Sequence, residues 1–228
     1  LIQFKNVSIS YGDNKILDNI NWTINNGDFW QLTGANGSGK STILSMITGD
    51  NPKAFGQEIY LFGNLKGSGE SVWDIKKKIG YYSPSMTNKF RGRHTVENML
   101  ISGLTDSVGL YTIPTDIQKR VIKQWLLVLN LHDLKDTYFN KLSTGKQRLV
   151  MTARAMVKHP PILILDEPTT GMDDESAALL VSFVNKIAQE TNTAILFVSH
   201  RKEPFLEPKS VYTLKKQPSG SIGLITIT

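Results

Sequence analysis

The chain has 228 residues, with 26 Lys and Arg against 20 Asp and Glu, which leaves a formal net charge of +6. Hydrophobic residues make up 40% and charged residues 20%, a composition typical of a globular chain and not of a disordered or fibrous one. Cysteine is absent, so disulfides, iron–sulfur clusters and thiol nucleophiles are excluded. We interpret the basic excess as surface solvation, the alternative being an acidic partner such as nucleic acid or membrane lipid.

The first part of the chain predicts strands. Residues 2–11 and 16–24 alternate apolar and polar side chains around a tight turn at 12–14, the pattern of an antiparallel pair. A short buried strand is predicted at 29–33, followed by a glycine-rich segment and a helix that ends at Gly49.

The centre of the chain has a helical pattern. Residues 115–131 place Ile117, Val121, Trp125 and Leu129 at a spacing of four, which predicts the buried face of an amphipathic helix. We interpret this stripe as a core face, the alternative being a face that binds a cofactor.

The last part alternates strands and helices. A helix is predicted at about 143–158, a strand at 162–165, a helix at about 174–190 and a strand at 194–198, before a closing hairpin. This alternation predicts an α/β fold with a mostly parallel sheet, to which we expect the opening antiparallel pair to be added.

Residues 34–41 fit the pattern G-x-x-x-x-G-K-[ST] between a predicted strand and a predicted helix. Glycines let successive backbone N–H groups turn toward phosphate oxygens, and the helix N-terminus adds a partial positive charge. We expect Lys40 to contact the β- and γ-phosphates and the Ser41 hydroxyl to bind Mg²⁺. The segment therefore predicts a nucleoside triphosphate site, and the alternative is a chance glycine-rich turn. The expected phosphate-binding residues are Gly34, Ala35, Asn36, Gly37, Ser38, Gly39, Lys40, Ser41 and Thr42.

Two later strands end in polar residues. The strand at 162–165 runs into Asp166 and Glu167, and the strand at 194–198 is followed after one residue by His200. Carboxyl ends of parallel strands face the crevice in which α/β sheets bind ligands. We expect Asp166 to hold Mg²⁺ through water, Glu167 to act as general base on the attacking water, and His200 to contact the γ-phosphate. The alternative for the two carboxylates is a solvated strand end.

A second helix start has the features of an anion site, with Ser143 as predicted N-cap and Gly145 in the first turn. The loop at 34–41 already encloses one side of a triphosphate. We therefore infer that this second site serves a nucleotide held by another subunit.

Together these motifs resemble those of the ATP-binding cassette (ABC) ATPases over nearly the whole chain. Residues 34–41 resemble the Walker A motif, 162–167 Walker B with its catalytic glutamate, 142–147 the signature motif, 169–173 the D-loop, and His200 the switch histidine. The resemblance implies a P-loop NTPase fold of the ABC type, with a mostly parallel sheet core, an antiparallel β subdomain and a helical subdomain. It implies ATP and Mg²⁺ as cofactors.

The resemblance also implies how the chain is divided. A single ABC ATP-binding domain would cover 1–228, with the catalytic core and β subdomain at about 1–85 and 155–228. The helical subdomain, which carries the signature motif, would cover about 86–154.

Further site residues follow from the resemblance. Tyr11 matches the aromatic residue that stacks on adenine, the alternative being an edge-strand aromatic that merely packs, and Asp173 matches the D-loop aspartate. Ser143, Gly145 and Lys146 would meet the nucleotide of a second ABC domain, in a homodimer or a tandem protein. Gly145 corresponds to the glycine that approaches the phosphate.

The chain departs from the family pattern in two places. Thr144 and Lys146 replace a glycine and the glutamine of the usual Leu-Ser-Gly-Gly-Gln signature, and we hypothesise that Lys146 strengthens ATP-dependent dimerisation by adding positive charge. The Q-loop glutamine, which in the family contacts Mg²⁺ and senses the membrane partner, is missing from residues 79–86. Ser83 or Ser85 would have to replace it through water.

The Q-loop sequence and the segment 102–111 resemble the molybdenum-transport and photorepair-type ATP-binding proteins. The resemblance to the ABC family implies a Mg²⁺-dependent ATPase that energises membrane transport, with permease subunits docking near 80–115. Several proteins of the molybdenum-transport and photorepair type are instead tandem cassettes with no obvious membrane subunit. The alternatives are a soluble ATPase that acts on nucleic acid or ribosomes, and a regulatory module with little turnover. No apolar run approaches the roughly 18 residues that span a bilayer, so we expect a cytoplasmic location, peripheral at the inner face of the cell membrane.

Overall fold

The computed structural model describes residues 1–90 and 92–228, which form ten strands and six α-helices. The strands are β1 (Ile2–Tyr11), β2 (Asn14–Ile24), β3 (Phe29–Gly34), β4 (Glu58–Leu61), β5 (Asn64–Leu65), β6 (Ile79–Tyr82), β7 (Ile162–Asp166), β8 (Ala194–Val198), β9 (Ser210–Lys215) and β10 (Ile222–Ile227). The helices are α1 (Lys40–Ile47), α2 (Val72–Lys77), α3 (Val96–Gly103), α4 (Asp116–Val128), α5 (Thr144–Met156) and α6 (Asp174–Glu190). No helix in the described part of the chain combines the length and the apolar character needed to cross a bilayer.

The larger sheet has six strands in the order β10-β9-β3-β8-β7-β6. Every neighbouring pair is parallel except β9 and β10, which form the predicted closing hairpin. The register pairs Tyr82 with Leu165, and Val198 with both Asp166 and Leu32. The carboxyl ends of β3, β6, β7 and β8 therefore meet at one edge of the sheet, and the predicted mostly parallel α/β sheet is confirmed.

The smaller sheet has the order β2-β1-β4-β5 and is antiparallel. The opening pair thus belongs to the antiparallel β subdomain that the resemblance implies, and among the described residues it joins the larger sheet only by an isolated bridge between Leu17 and Ser221. Ile2, Phe4, Val7 and Ile9 are all buried on one side of β1. These side chains pack in one core with α1 and with residues of the larger sheet, so the smaller sheet forms a second layer over it.

The apolar run of β7 packs on both faces of the larger sheet. Leu163 and Leu165 belong to a core shared with α3, α4, α5 and α6. Ile162 and Ile164 belong to a second core, which contains residues of the smaller sheet and of α1. Since successive side chains of a strand point to opposite faces, a strand covered on both sides needs apolar residues at every position.

Helix α4 buries only part of the predicted stripe, in which Trp125 packs against the core and Ile117 does not. Ile117, which begins the predicted stripe, is 71% exposed, whereas Ile122 and Leu126 are fully buried. Leu129, just beyond the helix, is buried too. Four residues advance an α-helix by about 40° more than one turn, so a spacing of four winds the stripe by about 120° from its first member to its last. One flat core cannot bury the whole of it.

Candidate active site

The loop at 34–41 connects β3 to α1 at the carboxyl edge of the parallel sheet. Gly39, which precedes α1, has φ of 100°, and a Cβ there would lie 2.5 Å from Leu17 Cδ2. Both the backbone conformation and the space therefore require glycine. No side chain caps α1. The first backbone N–H groups of the helix are left for a bound group, as in helix N-termini that hold phosphate.

Donor groups are concentrated inside this loop. Lys40 is buried, and its Nζ donates to the carbonyl oxygens of Gly34 at 2.6 Å and Ala35 at 3.3 Å. Ser38 Oγ is also buried and has no hydrogen-bond partner. A buried polar atom without a partner is costly unless a ligand satisfies it. The ammonium, the free hydroxyl and the uncapped N–H groups suit an anion such as the phosphates of ATP.

Asp166 ends β7 next to this loop and is hydrogen-bonded by a residue of β6. Tyr81 Oη donates to Asp166 Oδ2 at 3.1 Å. Burial raises the pKa of the Asp166 carboxyl, and the charge of Glu167 raises it further, while the Tyr81 hydrogen bond and Lys40 act in the opposite direction. Burial also raises the pKa of Tyr81, with the Asp166 charge adding to it, so the phenol remains a donor.

Glu167 and His200 are brought together from β7 and β8. His200 Nδ1 lies 3.4 Å from Glu167 Oε2, and Thr170 Oγ1 donates to the same oxygen at 3.1 Å. Glu167 has φ of 50°, in the left-handed region that side chains other than glycine rarely adopt. Its backbone N–H donates to Val198 O at 2.9 Å. A strained backbone held by a neighbouring strand is a feature found at functional sites.

The side chains at this edge can supply a magnesium site only in part. Ser41 and Asp166 line the same groove, whose volume is about 690 Å³. The described residues contain no group of three or more histidines and carboxylates that could hold a metal. Mg²⁺ prefers oxygen ligands and is usually bound by one or two protein groups together with phosphates and water. A hydroxyl and a carboxylate beside a phosphate loop fit that pattern.

The predicted signature residues lie at the start of α5, and the predicted D-loop residue Asp173 lies at the start of α6. Ser143 Oγ caps α5 by accepting from the Lys146 backbone N–H at 3.4 Å. Gly145 faces α6, where a Cβ would lie 2.4 Å from Ser176 Oγ. Asp173 caps α6 by accepting from the Ser176 backbone N–H at 2.8 Å, which lowers the pKa of Asp173. These residues therefore form a cluster at the starts of α5 and α6.

Tyr11 lies at the end of β1 and is 44% exposed. Its hydroxyl accepts a hydrogen bond from Asn51 Nδ2 at 2.9 Å, and the same nitrogen donates to Ser45 Oγ at 3.0 Å. Because Ser45 is part of α1, the hydroxyl of Tyr11 is tied to the helix that begins at the phosphate loop.

The groove beside Ser41 and Asp166 also contains the predicted Q-loop serines, Ser83 and Ser85. Their hydroxyl oxygens lie 2.9 Å apart, close enough to hydrogen-bond to each other. Arg154 lies in the same groove and is buried.

Arg154 anchors the wall of this groove. Its Nε donates to Ser102 Oγ at 3.0 Å, its Nη2 donates to Ser107 O at 2.7 Å, and its guanidinium lies 4.8 Å from the ring centre of Phe90. The segment 102–111, singled out in the sequence, therefore forms part of a wall tied to α5.

Sequence reasoning missed several contacts at this edge. Tyr81 was overlooked although it lies near the carboxyl end of a parallel strand, the same position that singled out Asp166 and His200. Thr170 and Arg148 had no such signal. Arg148 Nη1 donates to Pro168 O at 2.6 Å and so connects α5 to the segment after β7.

The comparison with known families decides the identity of the domain. The ABC transporter family model matches residues 17–170. The chain belongs to the ABC transporter family. The predicted resemblance to ABC ATPases of the molybdenum-transport type is thereby confirmed, together with the P-loop ABC fold. Members of the family are ATPases, so ATP is the nucleotide implied for the site.

Curated relatives support this assignment. The chain is 45% identical over 203 residues to the ABC transporter ATP-binding protein ModF of Escherichia coli, covering 89% of this chain and 41% of ModF. It is 32% identical over 203 residues to the energy-coupling factor transporter ATP-binding protein EcfA of Pediococcus pentosaceus, covering 88% of this chain and 70% of EcfA. The chain thus spans about four tenths of the length of ModF.

Solved ABC structures share the fold. The structure of cbiO1 from Clostridium perfringens, part of the ABC transporter complex cbiONQ, superposes with a TM-score of 0.82 at 23% identity and covers 98% of this chain and 87% of its own. The dimeric, post-hydrolysis ATP-binding cassette MJ0796 with ADP and Pi has a TM-score of 0.74 at 25% identity, with 94% of each chain covered.

Proposed function

We propose that this ABC domain hydrolyses ATP in a Mg²⁺-dependent reaction at the edge where the loop at 34–41, Asp166, Glu167 and His200 meet. The observation that carries the proposal is the contact of 3.4 Å between His200 Nδ1 and Glu167 Oε2, next to a donor-lined loop. A carboxylate and an imidazole beside a phosphate cradle can orient and deprotonate a water that attacks the γ-phosphate.

Each side chain has a proposed role in this reaction. Lys40 and the backbone N–H groups of the loop bind the β- and γ-phosphates. Ser41 and Asp166 would hold Mg²⁺, which when bound neutralises charge on the phosphate oxygens. Glu167 accepts a proton from the attacking water, and His200 positions that water and the γ-phosphate. Tyr11 stacks on the adenine.

We further propose that two ABC domains share the ATP. The solved ABC cassette MJ0796 is dimeric with ADP and Pi bound, which supports a role for Ser143, Gly145 and Lys146 toward a nucleotide held by another ABC domain. In a head-to-tail pair with a second copy or a tandem cassette, these three residues would lie over the Walker A loop of the partner domain. Asp173 would lie near that contact. ATP binding would close the pair and hydrolysis would open it.

The driven process that we propose is membrane transport. Permease subunits would dock at the groove near 80–115, and the domain would lie in the cytoplasm at the inner face of the membrane. Both ModF and EcfA have names that describe ATP-binding proteins of transporters. The comparisons do not favour the alternative, a soluble ATPase acting on nucleic acid or ribosomes. The division into a core at about 1–85 and 155–228 and a helical subdomain at about 86–154 is part of the proposal.

Glu167→Gln tests the catalytic assignment. The variant should bind ATP as the wild type does, lose nearly all steady-state hydrolysis, and remain dimeric with ATP in size-exclusion chromatography with light scattering. Glu190→Gln is the matched control, because Glu190 is an exposed carboxylate at the end of α6. Full turnover by Glu167→Gln would overturn the assignment.

A second experiment tests the driven process. Co-purification of the protein with a membrane permease subunit from its native cells would support transport. Stimulation of its ATPase activity by RNA or DNA, without such a subunit, would overturn transport in favour of the soluble alternative.

A further inference from the structure

The hydroxyl of Tyr81 contacts the proposed metal ligand but has no role in the mechanism described so far. Tyr81 lies in β6, the parallel neighbour of β7, and its register partner is Ile164. Asp166 is two residues farther along β7, on the same face of the sheet. The phenol therefore reaches along the strand direction to Asp166, and its oxygen lies 3.1 Å from Asp166 Oδ2.

The strand holds the phenol in this direction. Tyr82, the next residue, points to the opposite face and is fully buried in the core shared with the helices. Tyr81 packs at the border of the other core and lines the groove together with Ser41 and Asp166. With its neighbour locked in the core and its ring against the sheet, Tyr81 has little freedom to turn its hydroxyl away.

No other described side chain donates a hydrogen bond to Asp166. Ser83 Oγ lies 2.9 Å from Ser85 Oγ in the same groove, and the Ser83 side chain also hydrogen-bonds with the Tyr81 hydroxyl. The phenol is thus the group that fixes the orientation of the carboxylate. This hydrogen bond is charge-assisted, because its acceptor is a carboxylate.

We infer that Tyr81 is a positioning residue for Mg²⁺ binding, because its phenol donates to Oδ2 of Asp166 and so orients the carboxylate that would hold the metal; this inference rests on the proposed function. Groups that orient a metal ligand change metal affinity by about 10-fold or more when they are removed.

The test compares Tyr81→Phe with Tyr82→Phe, two variants that each remove one phenol oxygen from the same strand. Mn²⁺ affinity is measured by electron paramagnetic resonance of the free ion, in the presence of a non-hydrolysable ATP analogue. Tyr81→Phe should weaken Mn²⁺ binding about 10-fold and raise the Mg²⁺ concentration for half-maximal ATPase activity by a similar factor. Its affinity for the analogue in EDTA should stay unchanged, and Tyr82→Phe should bind Mn²⁺ as the wild type does.

Two outcomes separate this inference from the proposed function. If the wild type shows metal-stimulated ATPase activity but Tyr81→Phe binds Mn²⁺ as tightly as the wild type does, only the role of Tyr81 is overturned. A wild-type protein without ATPase activity would overturn the proposed function. In an Asp166→Asn background, Tyr81→Phe should change Mn²⁺ affinity no further, and an undiminished effect there would show that the phenol does not act through Asp166.

Discussion

Replacing Gly145 by alanine tests whether packing within one chain requires glycine at the start of α5. The added Cβ would lie 2.4 Å from Ser176 Oγ and 2.6 Å from Ser176 Cβ. Overpacking of this kind costs about 1–3 kcal/mol. The higher helix propensity of alanine offsets at most about 1 kcal/mol of this cost. Because Ser176 Cβ cannot rotate away from the new methyl group, we take the upper half of the overpacking cost, about 2–3 kcal/mol, and expect Gly145→Ala to lower the free energy of unfolding by about 1–2 kcal/mol.

Urea unfolding without nucleotide measures this cost separately from any role of Gly145 toward a phosphate. Ser176→Gly should relieve the clash, because the nearest remaining atom, Ser176 Cα, is 3.7 Å away. Ser176→Ala should relieve little, since its Cβ remains at 2.6 Å. The double-mutant cycles isolate this coupling from the cost of each single change. Wild-type stability in Gly145→Ala, or equal rescue by both Ser176 variants, would refute the packing argument.

Three further predictions concern α4, α6 and the signature segment. Leu126→Ala should lower the free energy of unfolding by about 2–5 kcal/mol, because Leu126 is buried. Ile117→Ala should lower it by about 0.5 kcal/mol or less, because Ile117 is 71% exposed. Equal losses of the two variants in urea unfolding would contradict the placement of α4. The Ser176 N–H lowers the pKa of Asp173, so this carboxylate stabilises the fold above its unfolded pKa of about 4, and the contribution is lost as the pH falls through the folded pKa. Asp173→Asn keeps a capping oxygen that does not titrate. The stability of the wild type relative to this variant should therefore fall as the pH drops from about 5 to below the folded pKa of Asp173, and a constant difference in urea unfolding would count against it. Lys146→Gln should weaken the ATP-dependent dimer and reduce its salt sensitivity in sedimentation experiments, and an unchanged affinity at every salt concentration would argue against the charge hypothesis.

Local patterns in the amino-acid order were enough to predict much of this fold. The apolar run at 162–165 became β7 because a strand buried on both faces has no polar position. The helix predicted at about 174–190 matches α6, Asp174–Glu190, which begins directly after its N-cap residue Asp173. The strand, loop and helix around 34–41 also agree with prediction. In each case the information lies within a few neighbouring residues, where propensity, capping and periodicity act.

Other features depend on partners that are distant along the chain. The smaller sheet formed because β1 pairs with β4, and the buried side of α4 was chosen by the helices packed against it. The contact between Tyr81 and Asp166 joins residues 85 positions apart. It follows from the register of β6 against β7, and local periodicity does not specify which strands become neighbours. The same holds for position 145, where the chain needs glycine only because α6 lies against α5. A steric limit of this kind exists only between atoms that folding has brought together.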